Sequence, residues 1–176
     1  CSKILSKLAK SETHVVIPIS SLQRLGNSAL LNQEDNINDK HSSNDSLPAS
    51  FVPGRNMMFL TLAAARAYQL KLHHLVTGVC QTDFSGYPDC RDTSIKAVQV
   101  ALFSCLDYEL GIHTPLMWKT KAETVKMMKE LDHLDWYKNT HTCYEGKRPP
   151  CGKCPACVLR ARGFKEAGEK DPLEEL

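Results

Sequence analysis

Four of the chain's eight cysteines lie between residues 143 and 157, in the pattern Cys143-x7-Cys151-x2-Cys154-x2-Cys157. Thiolates are soft donors, and four of them on a short, turn-rich segment suit a tetrahedral metal ion. The intervening Tyr144 to Pro150 stretch (YEGKRPP) is long enough to fold back and bring Cys143 to the other three. Four protein donors leave no open coordination position, so zinc bound there would be structural. Lys147, Arg148, Lys153 and Arg160 would offset the charge of the thiolates. Disulfides or unrelated free thiols compete with this reading, as does an iron–sulfur cluster, which also takes four cysteines. A zinc knuckle reading nucleic acid is a further alternative, but no helix with base-reading residues accompanies it. Clustering of thiols in a reducing compartment favours zinc.

Three polar loops carry other reactive groups. Phe51-Val52-Pro53-Gly54-Arg55-Asn56 sets a turn-forming glycine before an arginine whose planar fork would sit at a helix N-terminus. Arg55 suits a solvated turn equally well. Thr82 to Arg91 gathers Asp83, Phe84, Ser85, Tyr87, Asp89 and Arg91, a mixture fitted to a flat polar heterocycle, although Gly86 and Pro88 also suit an ordinary surface turn. Pro115-Leu116-Met117-Trp118 leads into Lys121 and Glu123. Glu123 has a sufficient task as the partner of Thr120 in a capping box, and Lys121 fits either a phosphate or water. The seven histidines show no mutual ligand spacing.

The elements that must position these groups read as α/β. Ile4, Leu5 and Leu8 have helical spacing over residues 1–10, and His14 to Ile19 (HVVIPI) reads as a strand weakened by Pro18. A short helix is expected over Ser20 to Leu31. Residues 32–50 are rich in Asn, Asp and Ser and read as a mobile loop. A helix capped by Asn56 and running to about Leu70 has almost no polar face, so it should be buried on most sides. A strand over His74 to Val79 and a helix from Asp92 or Thr93 follow, the helix turning Ile95, Val98, Leu102, Cys105 and Leu106 inward. A passage at His113 to Leu116 precedes a last helix using Val125, Met128, Leu131 and Leu134. Alternating strands and helices imply a parallel sheet with crossover helices. Residues 1–141 then form an α/β domain with a possible ligand cleft, and 142–176 a zinc-binding segment with a C-terminal helix.

The 22 Lys and Arg against 20 Asp and Glu give a formal charge of +2, no electrostatic case for nucleic acid or a membrane surface. No apolar run approaches the ~20 residues that span a bilayer. A cytoplasmic protein is the simplest expectation.

The motifs FVPGRN (51–56), TGVCQTDFSGYPDCR (77–91), TPLMWKTKAET (114–124) and TCYEG…CGKCPACVLRA (142–161) together resemble the 7-cyano-7-deazaguanine synthase family of queuosine biosynthesis, within the N-type ATP pyrophosphatases. The resemblance covers nearly the whole chain apart from residues 32–50. It implies an adenine nucleotide α-hydrolase-like fold and an ATP-dependent ligase that converts 7-carboxy-7-deazaguanine and ammonia to the nitrile through an acyl-adenylate. It also implies zinc on Cys143, Cys151, Cys154 and Cys157, ATP as co-substrate, and a homodimer. By the same resemblance Arg55 and residues 77–91 line the cleft. Arg55 or Lys121 would face phosphate, Asp83 or Asp89 the deazaguanine edge, and Phe84 or Tyr87 its ring; Asn56, Ser85 and Arg91 complete the lining.

One departure stands out. The family opens with a strand and a Ser-Gly-Gly-x-Asp-Ser loop whose backbone N–H groups cradle pyrophosphate. No such loop lies in these residues, and the first glycine is Gly26. Together with the Cys1 start, this suggests a fragment, and residues 1–176 alone are expected to release no AMP. A catalytically inactive, zinc-stabilised module for base binding or dimerisation is the alternative.

Overall fold

The computed structural model describes residues 14–24, 28–32, 36–82 and 86–173. The expected helix over residues 1–10 lies outside these residues. The chain forms two compact units, one from residues 27–120 and the other from 1–26 with 121–176.

In the first unit a hairpin joins β1 (Lys40–His41) to β2 (Asn44–Pro48), antiparallel, inside the segment expected as a mobile loop. Its strands carry no alternating apolar face. It is tied down at its base, where the Ala29 N–H donates to the Ala49 carbonyl and the Ala49 N–H to the Asp39 carbonyl, each at 2.9 Å. Helix α1 (Arg55–Gln69) begins one residue before the expected cap, because Gly54 adopts φ 71° and turns the chain into the helix. Its buried stripe is narrower than its composition suggests. Leu60, Ala64 and Ala67 are buried, whereas Met57 and Phe59 are exposed.

Strand β3 (His74–Val76) pairs in parallel with β4 (Gly111–His113), and α2 (Asp92–Leu106) lies between them in the chain. The expected sheet of several strands is therefore observed, among the described residues, as one parallel pair. The core of the unit joins Leu60, Ala64 and Ala67 of α1 to Ile95, Val98 and Leu102 of α2, with Leu110 and Met117. The predicted α2 stripe holds for its first three members, but Cys105 is exposed. The Gln99 side chain accepts the Ile112 N–H at 2.6 Å, so α2 blocks the outer edge of β4.

In the second unit, residues 14–19 do not form the expected strand. Among the described residues no chain pairs with them, Pro18 offers no N–H, and Val15, Val16 and Ile17 are exposed. Of the helix expected over 20–31, the described residues show a 3-10 turn at Ser20–Arg24. Helix α3 (Lys121–Glu130) buries Ala122 and Val125, but it stops before Leu131, which is exposed. Leu134 belongs to the 3-10 turn Leu134–Asn139. Helix α4 (Pro155–Ala167) packs on α3, and Gly163 makes that approach possible. A Cβ on Gly163 would stand 2.7 Å from the Lys121 Cβ.

Candidate metal centre and ligand loops

The four expected cysteines converge. Each contributes one sulfur, and all four sulfurs lie within 4.8 Å of one another, with Cys143, Cys154 and Cys157 buried. Local structure explains how. A turn closed by the Gly146 N–H on the Cys143 carbonyl, 3.1 Å, starts the fold-back. Gly152, at φ 72°, reverses the chain between Cys151 and Cys154. Cys154 then caps α4, with Pro155 in the first turn where no N–H is needed. Cys157 follows in that turn, so the positive end of the helix dipole faces two of the thiols.

The donor set fits zinc on geometry. Zn–S bonds of about 2.3 Å place the sulfurs of a regular tetrahedron roughly 3.8 Å apart. Cys151 Sγ and Cys157 Sγ lie 3.9 Å apart, and none of the four is in a disulfide. Backbone N–H groups point at the sulfurs, Cys154 to Cys151 Sγ at 3.3 Å and Cys151 to Cys143 Sγ at 3.5 Å. Burial would push the Cys143 thiol up, but the N–H groups of Cys151, Lys147 and Glu145 outweigh it and bring it to about 6. In Cys154 burial is likewise outweighed by backbone N–H groups, of Cys157 and Tyr144, and the thiol is lowered. Burial, reinforced by the hydrogen-bonded Cys154 thiol, pushes Cys157 up to about 12.

The cations expected around the thiolates divide in function. Lys147 pairs with Glu145, and both Cys143 and Cys151 help hold its ammonium charged. Arg160 instead makes a two-pronged pair with buried Asp171, at 2.5 Å and 2.8 Å, and donates to Thr140 Oγ1 at 2.7 Å. Its guanidinium also lies over the rings of Tyr137 and Phe164. That network braces α4 against the turn that leads into Cys143.

Of the expected cleft residues, the structure brings together Arg55, Asn56, Tyr87 and Asp89. The Asn56 N–H donates to Asp89 Oδ2 at 3.1 Å, so this carboxylate serves the open end of α1 from another segment. Tyr87 is buried. Its ring stacks on Phe51 with centroids 6.0 Å apart, its hydroxyl is 2.6 Å from Ser50 Oγ, and the Arg55 guanidinium lies 5.8 Å from its centroid. Arg91 is exposed and precedes α2, with its carbonyl accepting the Ser94 N–H at 3.0 Å. Lys121 opens α3 in the other unit. Asp83, Phe84 and Ser85 lie outside the described residues.

Sequence spacing missed two contacts. His74 and His113 meet at 3.0 Å, because the parallel register places them on one face and Gly111 has no side chain to part the rings. The loops after β3 and β4 are also joined, the Gln81 N–H donating to the Met117 carbonyl at 2.9 Å. Both are contacts between segments far apart in the chain, for which no local pattern exists.

A family model for the queuosine biosynthesis protein QueC matches residues 1–168. The chain is 47% identical over 175 residues to a 7-cyano-7-deazaguanine synthase of Chromobacterium violaceum, covering 99% of this chain and 74% of the relative. A protein of the same name from Laribacter hongkongensis is 46% identical over 160 residues, covering 91% and 70%. One from Staphylococcus epidermidis is 47% identical over 167 residues, covering 93% and 74%. A match of this length, on a chain whose four motif cysteines converge in space, means that the chain belongs to the QueC family of queuosine biosynthesis proteins.

Proposed function

We propose that this chain, a carbon–nitrogen ligase of queuosine biosynthesis that makes 7-cyano-7-deazaguanine, works by adenylating the carboxylate of 7-carboxy-7-deazaguanine. Ammonia would displace AMP to leave an amide, and a second adenylation with loss of the amide oxygen would leave the nitrile. The physical need for ATP is plain: oxide is a poor leaving group, and AMP is a good one. The observation that carries the reading is the QueC match over residues 1–168.

Zinc on Cys143, Cys151, Cys154 and Cys157 would hold the start of α4 and the preceding loop, with no part in bond-making. The sheet would be that of the adenine nucleotide α-hydrolase-like fold, whose ligands bind beyond the carboxyl ends of the strands. Arg55 or Lys121 would face phosphate, and Asp83, Phe84, Ser85 and Arg91 would line the base. Asp89 and Tyr87 have structural partners in Asn56 and Phe51, which supports a role in shaping the loop more than in free contact. Asn56 would act with Asp89 in holding the start of α1. A cytoplasmic homodimer completes the proposal. Among the described residues no helix is long and apolar enough to cross a membrane.

One assay separates the ligase from the inactive module. The protein is incubated with carboxylate-18O-labelled 7-carboxy-7-deazaguanine, ATP and ammonia, and the nitrile and AMP are analysed by mass spectrometry. Nitrile with 18O in AMP supports the adenylate route and overturns the expectation that residues 1–176 alone release no AMP. Nitrile with unlabelled AMP overturns the route. Base binding without AMP release matches the non-catalytic module.

A further inference from the structure

We infer that Trp118 is a stacking platform for a flat bicyclic heterocycle at the mouth of the loops that follow β3 and β4. This deepens the proposed ligase reading and rests on it. Trp118 is 63% exposed, whereas its neighbour Met117 is 2% exposed and belongs to the core. A lone exposed apolar side chain is ordinary on a protein surface. What distinguishes this one is its backbone, which is held on both sides by the other loop. The Gln81 N–H donates to the Met117 carbonyl at 2.9 Å, and Thr82 Oγ1 donates to the Lys119 carbonyl at 2.5 Å. Two further bonds tighten the turn from within, Met117 N–H to Thr114 carbonyl and Lys119 N–H to Leu116 carbonyl, each at 3.0 Å. The indole is therefore presented on an ordered turn, so little freedom remains to be lost when a ring settles on it.

Position gives the ligand class. The turn follows β4, which ends at His113, and it joins the loop that follows β3, which ends at Val76. In parallel α/β sheets this is the end where ligands bind. Among the aromatic rings described on these two loops, Tyr87 already stacks on Phe51 and shares its hydroxyl with Ser50. Trp118 keeps an open face. An indole face attracts any planar base, by dispersion and by its quadrupole, without reading its edge. The partner is accordingly the deazaguanine of the substrate or the adenine of ATP.

The chain's two tryptophans make the test direct, since Trp136 is stacked on His133 at 4.1 Å and serves as the internal control. Wild type, Trp118→Ala, Trp118→Phe and Trp136→Phe are titrated separately with 7-carboxy-7-deazaguanine and with ATP, following tryptophan emission and calorimetric heat. The platform predicts quenching in Trp136→Phe and none in Trp118→Phe. It also predicts binding about tenfold or more weaker in Trp118→Ala, with the phenyl ring of Trp118→Phe restoring most of it. Quenching by ATP alone keeps the platform and assigns it to adenine. If Trp118→Ala binds both ligands as tightly as wild type, the platform is overturned and the ligase reading stands. If wild type takes up neither ligand in the calorimeter, the ligase reading falls and the platform falls with it.

Discussion

Arg160 shows how a single residue can hold a metal-binding segment without touching the metal. Its side chain and that of Asp171 are each only 8% exposed, and Asp171 Oδ1 also accepts the Leu173 N–H at 3.0 Å. Removing one member of such a pair leaves the other charge buried and uncompensated, at a cost of about 3–5 kcal/mol. Arg160→Ala should therefore unfold at distinctly lower urea concentration than wild type. Replacing both partners with apolar side chains of similar volume should recover much of the loss. Cys143 and Cys157 differ in how firmly they hold a proton. Cys157, pushed up to about 12, must give up its proton whenever metal binds near neutral pH, whereas Cys143, at about 6, is already mostly thiolate there. Metal and protons compete for the same sulfurs, so zinc affinity should fall as pH falls. The fall should steepen below pH ~6, where Cys143 also takes up a proton. Competition titrations with a chromophoric chelator across that range would check both the sign and the change of slope.

At the scale of elements, α3 and α4 are the pair through which the metal segment meets the rest of its unit. The test residue is Gly163, whose missing side chain leaves room for Lys121. Gly163→Ala would gain about 0.5–1 kcal/mol of helix propensity, but a Cβ 2.7 Å from the Lys121 Cβ must force the helices apart. Overpacking of that kind costs typically 1–3 kcal/mol, so the net effect should be a lower melting temperature. The same elements show what could be read in the chain beforehand. The cysteine cluster was legible because its ligands are close in sequence and the chemistry of four thiols is narrow. The starts of α1, α2 and α3 were legible because Gly54-Arg55-Asn56, Asp92 and Thr120 to Glu123 mark helix starts locally. The sheet was not. Whether HVVIPI becomes a strand depends on a neighbour that no local pattern specifies, and residues 14–19 have none among the described residues. The cleft was partly legible. Its composition was visible, but the use of Tyr87 and Asp89 as partners for Phe51, Ser50 and Asn56 arises only from tertiary contact.

At the scale of the whole molecule, one unit carries a parallel strand pair with the loops that follow it, and the other carries the thiolate cluster and Lys121. The cluster is the part of the account on which the rest depends, because its residues order the loop from Cys143 to Cys151 and start α4 at Cys154. Structural zinc sites in small peptides contribute on the order of 10–16 kcal/mol of apparent binding energy, so removing the ion should cost far more than any single substitution discussed above. The most direct test is zinc-edge X-ray absorption on the purified protein, with metal content measured on the same sample. The expected result is one zinc per chain surrounded by four sulfurs at about 2.3 Å, with the helix content of α4 lost when a strong chelator removes it. A folded protein holding no metal, or an iron–sulfur spectrum in place of zinc, would contradict it.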